Sequence, residues 1–316
     1  MPNLARPLLA CAALVALAAP AALTYAQGSP YTVVETGRGY GRLQDAVDAI
    51  GGGMGTIRFA PGRFADCAVQ QGGDVLYQAA TPGQSVLDNV ACEGKAALVL
   101  RGRSARVEGL VFANIRVPDG NGAGIRLETG DLAVSQSWFR DSQEGILTAN
   151  GQPGTVTIDK STFTRLGTCE GAGGCAHAIY IGDYGALTVT RSRFEAGRGG
   201  HYVKSRAAQI AVLNSSFDDS GGKATNYMID LPAGAQGRIA GNWFVQGRDK
   251  ENYSAFIAVA AEGKVRSSAG LEIAGNDARF APGVSRQSVF VADWSGDRLA
   301  LGTNALGSGL ARFEKR

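Results

Sequence analysis

The sequence predicts an all-β solenoid of strand-only coils, about 8–10 of them. Three observations carry that prediction. Glycine supplies 45 of 316 residues, about 14%, roughly twice ordinary usage of about 7%. A spaced trio of residues recurs along most of the chain. The runs that hold it, such as ALTVTRSRF at 186–194 and QIAVLNSSF at 209–217, alternate with a period of two and carry no helical stripe.

The trio is a Val or Ile, a Ser or Asn three positions on, and a Phe five positions on. Val107/Phe112, Val134/Phe139, Ile158/Phe163, Val189/Phe194, Val212/Phe217 and Ile239/Phe244 obey it. The middle position reads Ser137, Ser161, Ser192, Ser215 and Asn242, with Leu110 in the first copy; Ile273/Asn276 and Leu301/Asn304 continue the series without Phe. Successive anchors are 27, 24, 31, 23, 27, 34 and 28 residues apart, so a short rigid part alternates with loops that absorb the variation. Coils stacked about 4.8 Å apart turn such a repeat into ladders along the axis: bend residues in the Ser/Asn column, an interior aromatic stack in the Phe column. Gly is then expected at corners with no room for a side chain. Propeller blades need longer repeats, and a sandwich has no reason to keep its columns over eight copies.

Residues 1–26 read as a secretory signal. Arg6 is the one charge, an apolar run spans Leu8 to Leu23, and Thr24-Tyr25-Ala26 precedes Gln27. Pro20 interrupts the run, which favours cleavage over a membrane anchor, and the lipoprotein-like LLAC ending at Cys11 sits too close to Met1. A secreted or periplasmic protein is expected, with no membrane span in the mature chain. Export and the even count of Cys67, Cys92, Cys169 and Cys175 suggest two disulfides. Three pairings exist, and proximity favours Cys67–Cys92 and Cys169–Cys175. A net charge of +3 with 19% charged residues offers no broad field for nucleic acid or an anionic membrane. A monomer is expected.

The repeat, with RLQDAVDAIGGGMGTIRFAPGRF at 42–64, resembles the right-handed parallel β-helix proteins of the pectate lyase and pectin lyase-like superfamily. The resemblance implies a single right-handed parallel β-helix domain over 27–316. Residues 27–100 would form the N-terminal cap and first coils, with a short capping helix at about Leu43 to Ile50, and 104–310 the regular coils. It implies activity weakly, because one fold hosts many chemistries.

A third strand precedes each anchor: AGIR at 123–126, EGIL at 144–147, HAIY at 177–180, HYVK at 201–204 and YMID at 227–230. With the Ile or Val at the third position facing inward, alternation places the second and fourth outward. The fourth column reads Arg126, Leu147, Tyr180, Lys204, Asp230, and the second Gly124, Gly145, Ala178, Tyr202, Met228. The first holds the only two His, His177 and His201, followed by Tyr227. Tyr180, Lys204, Arg206, His177, His201 and Asp230 make the densest polar grouping in the chain. The resemblance points to the same sheet, which in that superfamily forms the polysaccharide groove.

Glycoside hydrolysis usually needs two carboxyls about 5–9.5 Å apart. Glu144 and Asp230 are three coils apart, on the order of 14 Å, and Asp218-Asp219 lies on another side. A β-elimination needs less: a cation to neutralise a uronate carboxylate, a base for the neighbouring C–H, and an acid for the leaving oxygen. Lys204 or Arg206 suits the first task; Tyr180, His201 or Lys204 suits the others, with His177 beside them. Tyr202, Tyr227, Asp230, Glu144 and Arg126 are the expected substrate contacts. The resemblance also brings calcium, but no clear acidic cluster supports it, and no metal site is assigned. The expected partner is an acidic polysaccharide and the expected activity a polysaccharide lyase. A non-catalytic glycan-binding or cell-envelope β-helix, and a glycoside hydrolase or esterase with loop-borne carboxylates, stand as alternatives.

Structural readings accompany each residue. Lys204 and Asp230 on adjacent coils would form an ordinary cross-strand ion pair, and an Asp230 that holds Lys204 charged makes it a poor base. His177 and His201, sharing the inward parity of Ile179, would be hydrogen-bonded turn residues. Cys169–Cys175 would brace a loop, and Tyr202 would stack on a sugar or cover the coil.

Overall fold

The computed structural model describes residues 28–151, 153–170 and 174–316, together with Pro2. Apart from Pro2, the segment read as an export signal, with Cys11, lies outside the described residues. From Tyr31 onward the chain winds through about nine turns, each adding a strand to three sheets of twelve, ten and ten strands. Within these sheets the pairing is parallel, except where Tyr31–Val33 runs antiparallel to Arg38–Tyr40 and Met54–Phe59. This is a parallel β-helix.

The repeat read from the sequence is the register of the coils. In the first sheet Val107, Val134, Ile158, Val189, Val212, Ile239, Ile273 and Leu301 stand beside one another in that order. In the second, Phe112, Phe139, Phe163, Phe194, Phe217 and Phe244 form a continuous stack, with ring centres 4.8–4.9 Å apart and planes within 14°. Strand spacing imposes that distance, so the rings have no freedom to prefer an edge-on arrangement. The stack stops where Ala278 follows Phe244 in register, and Phe290 closes over it at 5.8 Å.

The Ser/Asn column is a hydrogen-bonded ladder. The backbone N–H groups of Ser137, Ser161, Ser192, Ser215, Asn242 and Asn276 each donate to the side-chain oxygen one coil on, over 2.9–3.3 Å. Each side chain thus satisfies a buried N–H that the bend would otherwise orphan.

Glycine does not dominate the corner before this ladder. Gln136, Lys160, Arg191 and Asn214 take the left-handed conformation there, with φ of 47–50°. Each N–H donates to the carbonyl of the next coil, at 3.0–3.2 Å, which offsets a conformational cost of about 1 kcal/mol. Glycine is required at the corner leading into the first sheet. A Cβ on Gly130 would lie 2.2 Å from the Gly102 carbonyl oxygen, and one on Gly154 2.2 Å from that of Gly130. Successive backbones touch there, and no side chain fits.

The helix Leu43–Ile50 buries Leu43, Ala46 and Val47 in the core. Its Gln44 donates to the Val69 carbonyl and accepts the Val69 N–H, pairing the edge strand Ala68–Gln70. Both disulfides favoured by proximity are present, Cys67–Cys92 and Cys169–Cys175. Among the described residues no helix is long and apolar enough to cross a membrane.

The third sheet corrects the expected facing. Strands are Ala123–Leu127, Glu144–Thr148, Ile179–Ile181, Val203–Ser205 and Ile229–Leu231, so in the last three the first two residues of each motif belong to the preceding turn. There the pleat does not apply. The second and third columns both point inward: Ala178, Tyr202 and Met228 join the core beside Ile179, Val203 and Ile229. The first and fourth columns, with His177, His201 and Tyr227 in one and Tyr180, Lys204 and Asp230 in the other, therefore share the outer face.

The Phe stack is the place to test this packing. Phe194→Ala, which empties a fully buried site between two stacked rings, is expected to cost about 3–5 kcal/mol in denaturant unfolding. Trp138→Ala, on the exposed side of the same sheet, is expected to cost about 1 kcal/mol or less.

Candidate functional site

Parallel register assembles the site. Leu147 is followed one coil on by Tyr180, then Lys204, Asp230 and Ala258. His177 and His201 stand in the turns entering the same strands, with ring centres 4.9 Å apart; His201 stacks on Tyr227 at 5.6 Å and His177 meets the Tyr180 edge at 5.3 Å. His177, His201, Tyr180 and Lys204, together with Glu144, Arg206, Asn121, Asn226, Glu251 and Glu262, line an open cavity of about 370 Å³, with Asp230 and Tyr227 packed behind that lining.

The cationic half is paired. Lys204 Nζ lies 2.5 Å from Glu262 Oε1 and 3.6 Å from Asp230 Oδ2. Arg206 reaches the other Glu262 oxygen through Nη2 and donates through Nε to the Tyr180 hydroxyl at 3.0 Å. Lys204 Nζ stands 5.7 Å from the Tyr180 ring centre. One exposed carboxylate thus spans both cations, beside the one phenol of the fourth column.

The histidine half is dry. The His201 backbone N–H donates to His177 Nδ1 at 3.0 Å, which puts the proton of a neutral His177 on Nε2. Burial, helped by the Lys204 charge, pushes His177 down to about 3. Burial and the neighbouring His177 hold His201 well below the ordinary imidazole value. Its Nε2 lies 3.4 Å from Asp230 Oδ2. Asp230 is itself raised to about 6, because burial outweighs the pull of Lys204.

Glu144, 1% exposed, accepts the His177 N–H at 3.2 Å through Oε1, while Oε2 has no partner. Burial lifts it to about 8, which favours the uncharged carboxyl over the carboxylate.

Two expected contacts lie elsewhere. Tyr202, 2% exposed, sits inside the coil, where its hydroxyl donates to Asp219 Oδ1 at 2.7 Å and accepts the Gly197 N–H. It cannot stack on a ligand. Arg126 is two coils from Tyr180, outside the cavity lining, and pairs with Glu128 at 3.8 Å, a partner shared with Lys95 and Arg101. Tyr227 forms a wall against Ala255, Ala258 and Ala292.

Sequence reasoning missed Glu262. It follows the strand Ala255–Val259, one coil beyond Asp230, in a turn that extending the fourth column would have reached. It also missed Lys250, which pairs with Asp219 at 3.2 Å with both side chains fully buried, and Thr225, which donates to the same carboxylate. This network braces Tyr202 directly behind His201.

Among the described residues one group brings metal-type ligands together, Cys169, Cys175 and Glu251. Its sulfurs are joined to each other in the disulfide, which removes the thiolates a metal needs. A larger concavity of about 550 Å³ lies on the first sheet. Its carboxylates are already engaged: Glu35 by the Thr56 N–H, Asp74 by Arg103 and Ser104, Asp131 by Thr155.

No family model matches the chain, and no curated protein does. Among solved structures it is similar to a tailspike protein of Acinetobacter baumannii bacteriophage Fri1, a capsular polysaccharide depolymerase, at 13% identity and a TM-score of 0.41. It is similar to a Geobacillus virus E2 protein at 15% and 0.44, and to the A-module of the Azotobacter vinelandii mannuronan C-5 epimerase at 12% and 0.30. Each match covers 86% of this chain; the chain spans 60%, 57% and 93% of the three in turn.

Glu144 sets a pH signature. A carboxyl raised in the folded state stabilises fully below its unfolded value of 4.5, and that contribution is lost as pH rises towards and past about 8. Lowered histidines act oppositely, but only below 6.5, where the unfolded state takes protons. Between pH 6.5 and 8, unfolding free energy measured in denaturant is expected to fall for the wild type relative to Glu144→Gln. Parallel curves for the two proteins would show that Glu144 is ionised when folded.

Proposed function

We propose that the protein is a carbohydrate-active β-helix enzyme that cleaves a uronate-containing polysaccharide by β-elimination. The observation that carries the reading is the convergence of Lys204 and Arg206 on a single carboxylate, with Arg206 also bonded to the Tyr180 hydroxyl. A uronate carboxylate is the substrate group that such a pair fits, and its neutralisation lowers the energy of the carbanion-like intermediate formed when the adjacent proton leaves.

Each side chain has one task. Lys204, flanked by two carboxylates, neutralises charge and is poorly placed to be a base. His201, neutral and set against Asp230, takes the ring C–H proton. The Tyr180 hydroxyl, whose oxygen accepts from Arg206 Nε, keeps its own proton for the leaving glycosidic oxygen. As that C–O bond breaks, the electron pair of the C–H bond becomes the new C=C bond; exchange with solvent then restores both residues. His177 Nε2–H serves as a donor to a sugar hydroxyl, and the buried Glu144 holds the His177 backbone from behind.

A second reading has its own observation. Glu262 already satisfies both cations, as it would in a protein that only recognises glycan. Turnover separates the two. The exported form is expected to generate unsaturated uronate absorbance on at least one member of a panel of uronate polymers. Lys204→Ala and Tyr180→Phe are each expected to lower the rate about 10²–10³-fold. Full activity in both variants overturns the site assignment, and binding of every polymer without product favours recognition alone.

A further inference from the structure

The Glu262 carboxylate stands where a ligand carboxylate would have to stand. It is borne on the turn after Ala255–Val259, and its two oxygens divide between Lys204 Nζ and Arg206 Nη2. The turn is held from both sides. Glu262 N donates to the Pro232 carbonyl, Val265 N and Arg266 N to that of Ala233, and the Arg266 guanidinium bridges the Arg206 carbonyl and Asp183. The backbone is thus fixed, while the Glu262 side chain keeps 45% of its surface exposed and has solvent into which to turn.

We propose that Glu262 is a tethered stand-in for the substrate carboxylate, which occupies the Lys204–Arg206 subsite in the empty protein and is displaced by an incoming uronate. The inference rests on the uronate reading above and makes Glu262 a specificity-determining residue. A tethered carboxylate acts at an effective concentration in the millimolar range, so a neutral sugar, which brings no carboxylate of its own, does not dislodge it. A uronate exchanges one carboxylate for another and leaves both cations paired. Lys204 keeps Asp230 as a second carboxylate partner throughout the exchange.

Displacement predicts that removing the stand-in strengthens uronate binding. Where the competent, open form is a minor population, apparent affinity rises by the inverse of its fraction. Calorimetric titrations would compare the wild type, Glu262→Ala and the isosteric Glu262→Gln against uronate oligosaccharides from galacturonan, alginate and glucuronan, and against their methyl-esterified, uncharged forms. Both variants are expected to bind at least one uronate oligosaccharide about fivefold or more tighter than the wild type, with less than about a twofold change for its ester. Unchanged or weaker uronate binding in both variants overturns the inference, as does an equal gain for the ester or no binding by any protein. Tighter binding in the variants with no cleavage by the wild type would sink the lyase mechanism and leave the stand-in role in place.

Discussion

The constraint on which everything else depends is the repeat distance of parallel strands. Coils that share backbone hydrogen bonds must lie about 4.8 Å apart, so whatever one coil places at a given position the next places directly above it. The Phe rings stack at 4.8–4.9 Å because the backbone sets that distance. The Ser and Asn side chains bond from coil to coil for the same reason. Gly130 and Gly154 are confined to glycine because the backbone of the previous coil already fills the place of a Cβ.

The same constraint builds the site and makes it costly. Tyr180, Lys204 and Asp230 are brought to one face by register alone, and such close stacking dries the groups between them. Glu144 and Asp230 are raised, His177 and His201 lowered, and in each the largest cause is burial. Lys204 pairs with both Asp230 and Glu262, and the partly exposed Arg206 shares Glu262 with it. Behind the outer face the Asp219–Lys250 pair, tied to Tyr202 and Thr225, holds the turn that presents His201. Perturbed groups set close together mark a candidate functional site, and structural ion-pair networks perturb them in the same way.

Much of this was legible in residue order. The Val/Ile, Ser/Asn and Phe columns, the fourth column of the third sheet, the helix Leu43–Ile50 and both disulfides follow from spacing, resemblance and proximity, and each stands where it was expected. The departures have two physical origins. Alternation was carried two residues too far towards the N-terminus, into turns that the pleat does not govern, and this exchanged the facing of His201 and Tyr202. Glu262 escaped notice because its partners Lys204 and Arg206 are 58 and 56 residues earlier in the chain.

By itself the sequence determined the ladder: which residues repeat, at what intervals, and therefore which must stack, because hydrogen bonding between coils leaves one register that aligns Phe with Phe and Ser with Ser. Only the tertiary structure decided which way the turn residues face and which distant carboxylate closes the cationic pair. Those outcomes depend on how each turn leaves the strand and on where loops of unequal length return, and neither is encoded in a local spacing.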